Sequence, residues 1–342
     1  MLGLALSPED SMSTSAVTLR DHRINWIQSI PFFAFHLFAG VAVFFVPFHW
    51  SYVVWAVALY YLRMWAVTSG YHRYFAHRAF KTSRVFQFVL AFLAETSAQK
   101  GVLWWAANHR HHHRESDQPA DLHSPLQDGF WWSHVGWILS DAYSETREEG
   151  IRDFARFPEL RFLNRWHLLP PFLLAVGLFL IGGFPLLVWG FFVSTVVLWH
   201  GTFTINSLSH VFGSRRYKTT DTSRNNLLLA LVTCGEGWHN NHHYHQNTAN
   251  QGWFWWEVDA TFYMLKVLSA LGLVWDLRLP SESVKFAFRK YSPEDQETVE
   301  SMPAMFGRAR LAAIHARAKV AEAVKGATEL AGPAPLPVLK RR

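Results

Sequence analysis

From Ile24 to Leu62, and again from His167 to Ser214, the chain carries no Asp, Glu, Lys or Arg. Uncharged stretches of that length can each hold two helices of about 20 residues, enough to cross a bilayer and return. The first runs through SIPFFAFHLFAGVAVFFV, turns at Pro47-Phe48-His49-Trp50 and returns through SYVVWAVALYYL. The second runs LLPPFLLAVGLFLIG, turns at Gly182-Gly183-Phe184-Pro185 and returns through LLVWGFFVSTVVLW. Buried helices of a large soluble protein also lack charge, but two adjacent ones without a polar face need an unusually large core. The expected fold is all-α and integral to a membrane. Four transmembrane helices form two hairpins, at about 28–47, 51–69, 167–183 and 185–206, beneath a helical cap.

Charge places the cap. Lys and Arg are absent from both hairpin turns and concentrate in the N-terminal arm, in Gly70 to Trp166 and in the C-terminal part. The positive-inside bias then puts all three, and both termini, on the cytoplasmic side of a multi-pass protein. A bacterial inner membrane is the expected host. Trp26, Trp50, Trp65, Trp166 and Trp199 fall near predicted span ends, as an interfacial belt requires. The net charge of +6 is explained by anionic headgroups beside the spans rather than by nucleic acid. The single cysteine, Cys234, excludes an intrachain disulfide and is expected to be packed and inert.

Residues 1–23 read as a mobile Ser/Thr-rich arm, too acidic at MLGLALSPED for a signal peptide, so the first span is expected to serve as the targeting signal. Residues 24–280 form the membrane domain, and 281–342 a charged helix and a low-complexity tail, AGPAPLPVLKRR. Within the cap, VFQFVLAFLAETSAQKGVLWWAA is interrupted by Glu95, Gln99 and Lys100. It suits a helix on the membrane interface, or over a cavity, better than a fifth span.

Nineteen histidines are many for this length, and they cluster beside the span ends. His72 and His77 are five apart; His109, His112 and His113 form one box, and His239, His242 and His243 another. On a helix, positions i, i+3 and i+4 share a face, so each triplet aims three imidazoles at one place, while His111 and His245 face away. Asn206 and His210 share a face at the end of the last span. His36, His49, His134, His167 and His200 read as ordinary hydrogen-bonded core residues. Nine converging imidazoles in apolar surroundings are costly to bury without a metal.

Nine nitrogens, no thiolate and no paired carboxylates exceed one ion's needs and suggest two. Imidazole suits zinc, copper, iron and nickel alike. The setting selects iron: at the mouth of a membrane-embedded cavity the available substrate is a lipid chain, and its unactivated C–H bonds yield to oxidation by O2. Zinc in a purified sample would be a substitution. Asn206 is a weak ligand that reaches the metal through water or orients His210.

With HRYFAH, HRHHH, NSLSH and GEGWHNNHH in this order, the chain resembles the membrane fatty-acid desaturases, in particular the Δ9 acyl-CoA (stearoyl-CoA-type) branch and its bacterial relatives. The likeness covers roughly Ile24 to Leu279 and includes that branch's five-residue first box. It implies four membrane helices, a cytoplasmic cap holding a histidine-rich di-iron site, and a kinked acyl tunnel. The ligands it implies are His72, His77, His109, His112, His113, His210, His239, His242 and His243, with Asn206 acting through water. Glu236 and Asn240 are candidates for supporting those ligands. The implied reaction uses O2 and two electrons to leave a cis double bond in a long saturated acyl chain. With no segment resembling an attached haem domain, the electrons are expected from a separate ferredoxin, flavoprotein or cytochrome.

Two departures stand out. The Arg-Asp pair that meets CoA in animal members is Ala107-Asn108 here, and the Trp near the acyl carbonyl is Phe203. Phe203, Arg165, Lys100, Thr68 and Tyr71 are the candidate substrate contacts. Arg110, like Arg165 and Lys100, is a candidate phosphate contact, each against the plainer reading of a solvated interfacial charge. The competing functions are an acyl-lipid desaturase, a lipid hydroxylase on the same scaffold and, more remotely, a metal transporter or sensor. The last predicts ligands inside the spans, whereas these cluster outside them. GxSxG and phosphate-loop motifs are absent.

Overall fold

The computed structural model describes residues 22–291, so most of the expected arm and the helix and tail beyond 291 lie outside the described residues. Ten helices position the site. They are α1 (Trp26–Ala42), α2 (Trp50–Ala66), α3 (Arg84–Glu95), α4 (Val102–Glu115) and α5 (Phe130–His134), followed by α6 (Leu169–Leu186), α7 (Ser194–Ser207), α8 (Leu227–Val232), α9 (His239–Tyr244) and α10 (Ala260–Ala270). Two-residue strands, β1 (Lys81–Thr82) and β2 (Val274–Trp275), pair antiparallel with Lys81 opposite Trp275 and tie the far end of the cap to its start.

The expected turns are present. Asn25 caps α1 by accepting from the Gln28 N–H, and its own N–H donates to the Leu139 carbonyl, anchoring α1 to the cap. His49 is exposed and caps α2, its Nδ1 accepting from the Ser51 N–H at 3.2 Å. That corrects the core role expected of it: a residue in a tight hairpin is better placed to satisfy orphan N–H groups than to pack. At the second turn the helix breaks at Gly182 and Gly183, and Gly183 takes φ 62°, a conformation that costs a residue without Cβ nothing.

Trp26–Phe45 and Leu169–His210 are long and apolar enough to cross a membrane, and only 17% of an apolar 18-residue stretch in each is buried. A soluble core helix buries most of its residues; here apolar side chains such as Phe44, Leu180 and Ile181 face outward. The Tyr residues and Arg63 of α2 make it less apolar. Arg63 is buried, its guanidinium donating to Thr195 Oγ1 at 2.6 Å, to Ser194 Oγ, and to the Leu59 and Thr96 carbonyls. A cation buried in a largely apolar helix is tolerable when it is neighboured in this way, and this one locks α2 to α7.

His36, His200 and His134, three residues expected to be separate core histidines, form one chain. The Nδ1 of His36 meets the Phe32 carbonyl at 2.7 Å and so carries the hydrogen, which leaves its Nε2 to accept from His200 Nε2 at 3.1 Å. His200 Nδ1 in turn accepts from His134 Nε2 at 3.0 Å, and Ser207 Oγ meets His134 Nδ1 at 2.9 Å. Every bond points the same way, so the run works with neutral rings. Burial, then His200, lowers the His134 pKa to about 4, which keeps it neutral. Trp199 is also inside, donating to the Ser97 carbonyl, and so does not join an interfacial belt; Trp26, Trp50 and Trp166 are exposed as a belt requires.

The 85–107 segment is two helices rather than one. Ala98 and Lys100 adopt left-handed φ of 55° and 68°, and a Cβ on Gly101 would sit 2.3 Å from Asn164 Oδ1, so the chain turns sharply there. Glu95 staples the corner: its Oε1 accepts from the Val102 N–H at 3.0 Å, while Oε2 has no partner. Burial lifts its pKa from 4.5 to about 8. Because the folded value lies above the unfolded one, wild-type stability declines as pH rises from about 4.5 to about 8 and then levels off. Glu95→Gln keeps the acceptor and removes the titration. Thermal unfolding in detergent should show little difference at pH 5 and a variant several degrees more stable at pH 8.5; an unchanged difference across that range refutes the assignment.

Candidate metal centre

The winding of α2 changes before the first histidine box. Val67–Ala76 is π-helical and the His77 N–H donates to the His72 carbonyl, five residues back, at 3.1 Å. An α-helix would splay residues five apart by about 140°, whereas i→i+5 winding returns them to one side. The His72 and His77 rings end 4.7 Å apart, edge to face. The α4 box adds His109, His112 and His113, the short turn after α7 brings His210, and α9 supplies His239, His242 and His243.

The nine rings separate into two groups. His72, His77, His109, His113 and His242 converge on one point, and His112, His210, His239 and His243 on another, each group's candidate ligand atoms lying within 4.8 Å of one another. Nε2 faces Nε2 across the first group: 3.0 Å for His72 to His242, 3.0 Å for His77 to His109, and 2.9 Å for both His109 to His113 and His113 to His242. In the second, His210 and His239 approach to 3.2 Å through Nε2.

Carboxylates behind the rings decide which nitrogen faces inward. Nδ1 meets Glu236 at 2.7 Å in His72, Asp121 at 2.8 Å in His112, Asp117 at 3.2 Å in His210 and Asp221 at 2.6 Å in His243. A hydrogen held at Nδ1 leaves a bare lone pair on Nε2 aimed into the cluster, and the buried His243 Nε2 has no partner of its own. These donors fit metal ions, which turn a set of mutually repelling lone pairs into a ligand field. Burial, reinforced by neighbouring rings, holds His77, His109, His113, His239 and His242 far below the ordinary imidazole pKa, so they are neutral. At His210 burial is outweighed by Asp117, which raises the pKa. Burial would also raise Asp117, Asp221 and Glu236, but their histidine partners, and for Glu236 first Arg73, keep them ionised.

Arg73 is fully buried, donating through Nε and Nη2 to Glu236 Oε1 and through Nη1 to Asp259 Oδ2, and so fixes the carboxylate that fixes His72. Asn240 acts elsewhere. Its Oδ1 accepts from the Arg216 and Tyr217 N–H groups, tying that loop to α9 rather than supporting an imidazole. Asp117, Asp121 and Asp221 escaped the sequence reading; the first two lie four and eight residues past the second box, a spacing that could have flagged them. His123 was missed too. Its ring stacks on His112 at 4.2 Å, and burial, then His112, pushes its pKa down to about 3.

A cavity of about 370 Å³ opens beside the first group, where His109 and Asn108 form part of its wall. Lys100, Phe203 and Asn206 also line it, as do His123 and His167, the latter partly buried rather than a packed core histidine. The Asn206 backbone carbonyl accepts from Ser133 Oγ. Thr68, Tyr71 and Arg165 are not among the lining residues. Thr68 is bonded to Thr261 Oγ1, Tyr71 donates to the Lys100 carbonyl from a fully buried position, and Arg165 is exposed over Trp166. Arg110 is likewise committed, clamping Asp153 and the Phe75, Ala76 and Gly150 carbonyls.

Residues 47–271 match a family described as fatty acid desaturase. The chain is similar to a palmitoyl-monogalactosyldiacylglycerol delta-7 desaturase of Arabidopsis thaliana, 39% identical over 73% of this chain and 68% of that protein. It is 35% identical to an acyl-CoA 5-desaturase of Anemone leveillei, over 80% of this chain and 89% of the other. It is 36% identical to an sn-1 stearoyl-lipid 9-desaturase of Anabaena variabilis, over 75% and 95%.

The carboxylates yield a test that needs no substrate. Asp221→Asn and Asp121→Asn should each lower metal affinity about 10- to 100-fold by releasing the ring behind which they sit. Metal analysis of the purified variants after chelator challenge checks this; retention equal to wild type would show that the carboxylates do not orient ligands.

Proposed function

The chain belongs to the fatty acid desaturase family, and on that premise we propose that it is an O2-dependent enzyme that introduces a cis double bond, at the Δ9 position, into a saturated long-chain acyl group carried as acyl-CoA. The observation that carries this reading is the opening of an apolar-walled cavity directly onto one of two adjacent imidazole clusters.

His72, His77, His109, His113 and His242 would hold one iron, and His112, His210, His239 and His243 the other, with Asn206 acting through water. Two irons there would supply the oxidation of an unactivated C–H bond by O2. The balance is simple: the acyl chain loses two hydrogens, O2 takes these with two further electrons and two protons, and two waters leave. The electrons come from a separate donor docking on the basic cytoplasmic face.

The chain's own residues do the positioning. Phe32, Phe35, Trp199 and Phe203 give the cavity aromatic walls that take up methylenes and exclude water, and Lys100 gives it a cation for an anionic or carbonyl head. Neutral imidazoles with bare Nε2 lone pairs supply ligation without charge, which suits an apolar site. Four crossings of the bilayer, by α1, α2, α6 and α7, would place this cavity at the cytoplasmic boundary.

The names of the relatives divide between CoA and glycerolipid carriers, so the assay must offer both. Membranes containing wild type or His242→Ala, supplied with reductant and with stearoyl-CoA or a stearoyl glycerolipid, are analysed by gas chromatography and mass spectrometry after derivatisation. A cis-Δ9 product from the CoA substrate with wild type, falling at least ~100-fold in the variant, is expected. Product from the glycerolipid alone reassigns the carrier, and hydroxy acids reassign the reaction.

A further inference from the structure

Outside the four long helices, one face of the cap is built in an unusual way for a surface in water. Between Arg224 and Glu236 no residue is charged, and the short helix α8 within that run exposes Leu227, Leu228, Leu231 and Val232, Leu228 to 72%. Farther along the chain Trp255 is 89% exposed and Trp256 half exposed. Tyr263, Met264 and Val267 on α10 and Leu271 just past it extend the same apolar character, with Lys266 exposed among them.

The position of α8 is set by hydrogen bonds to elements on either side. Tyr60, in the middle of α2, donates from its hydroxyl to the Val232 carbonyl at 2.8 Å. The Cys234 carbonyl accepts from the Thr261 N–H at the start of α10 at 2.9 Å, and Trp238 Nε1 donates to the Val258 carbonyl at 2.8 Å. Cys234 itself packs with Tyr60, Met64 and Leu198 of the long helices. The C-terminal end of α8 therefore lies at the level of Tyr60, several residues inside the end of α2, and α8 contacts α7; Val57, Tyr61 and Leu62 of α2 and Val197 of α7 are exposed as well.

We propose that α8, the Trp255–Trp256 corner and the outer face of α10 are sunk into the same membrane leaflet that the cap sits on. The partner is the lipid boundary between acyl chains and headgroups. The proposal rests on the membrane-spanning reading above. Continuity selects lipid over a protein partner: α8 is joined to α2 through Tyr60 and contacts α7, and none of the exposed residues of these three helices is Asp, Glu, Lys or Arg. A protein interface would end in a polar rim. The order of residue types also fits. Leucines stand beside the middle of α2, with Trp, Tyr and a Lys able to snorkel farther along. A helix as short as α8 could not span, but an in-plane segment needs only one apolar face. This stretch of the C-terminal part, expected on the cytoplasmic side, thus becomes partly monotopic.

The single buried cysteine makes the test direct. In a Cys234→Ala background, Leu228→Cys and Trp255→Cys are nitroxide-labelled one at a time and reconstituted into vesicles of phosphatidylcholine and phosphatidylglycerol. Leu180→Cys on α6 is the lipid control and the exposed Glu149→Cys the water control. Accessibility to O2 is compared with accessibility to a nickel chelate by electron paramagnetic resonance. The oxygen-to-nickel ratio at 228 and 255 should match that at 180 and exceed that at 149 severalfold, with 255 the shallower. A ratio equal to that at 149 overturns the proposal. Protection from both reagents overturns it in favour of a second protein chain on this face. If Leu180 itself reads as water-exposed, the spanning reading has failed and the proposal falls with it.

Discussion

The structure is organised around a repulsion that it cannot remove by itself. Nε2 lone pairs of buried neutral imidazoles meet at about 3 Å from four elements far apart in sequence, and the carboxylates at the backs of His72, His112, His210 and His243 prevent those rings from reversing their tautomers. Without cations the arrangement leaves donors unmatched and ionised acids buried, a combination that costs several kcal/mol per group. Divalent ions resolve both at once, giving the lone pairs an acceptor and the carboxylates a counter-charge. Much of the cap can be understood as what is required to hold that set together: Arg73 beneath Glu236, Thr222 donating to Asp117 and Asn241 bonded to Glu257.

The same principle, that a polar group in an apolar setting must be matched, governs the helices below. Arg63 is tolerated because hydroxyls and carbonyls surround it, and the run of His36, His200 and His134 is tolerated because each ring donates to the next. Both link α7 to a neighbour. Since α7 also ends beside Asn206 and the turn that follows it carries His210, the packing that satisfies buried polar groups in the bundle also sets the height at which His210 is delivered to the second imidazole group.

What was legible in the sequence follows from how local each signal is. Charge-free length and turn residues are local, so the hairpin turn at Gly182-Gly183 was readable; spacing on a helix face is local, so the triplets at His109 and His239 were readable as ligand boxes, but not that each divides its rings between two groups, His109, His113 and His242 going to one and His112, His239 and His243 to the other. The His72–His77 pair could be read only as a spacing, because nothing in the residue types announces the π-winding that makes five apart a shared side. Contacts across long sequence distance were not legible. Thr68 and Tyr71 sit beside the first box, yet Thr261 and the Lys100 carbonyl claim their hydroxyls, and neither lines the cavity. Asp221 reaches His243 from a loop with no periodicity to mark it.

The cavity joins these two halves of the molecule. A helical face of α1, Gln28, Pro31, Phe32 and Phe35, and one of α7, Trp199, Thr202, Phe203 and Asn206, both at i, i+3, i+4, i+7 spacing, contribute to its lining and meet where Phe32 stacks on Trp199 at 5.5 Å. The helix α4 adds His109 and Asn108. On the proposed reading, a flexible apolar chain lying against this lining would bring one region to His109 whatever its head carries, and the reacting carbon would be set by how far the head enters before Lys100 and its neighbours stop it. The chemistry would then depend on the histidines and their carboxylates, and the regiochemistry on residues outside both imidazole groups.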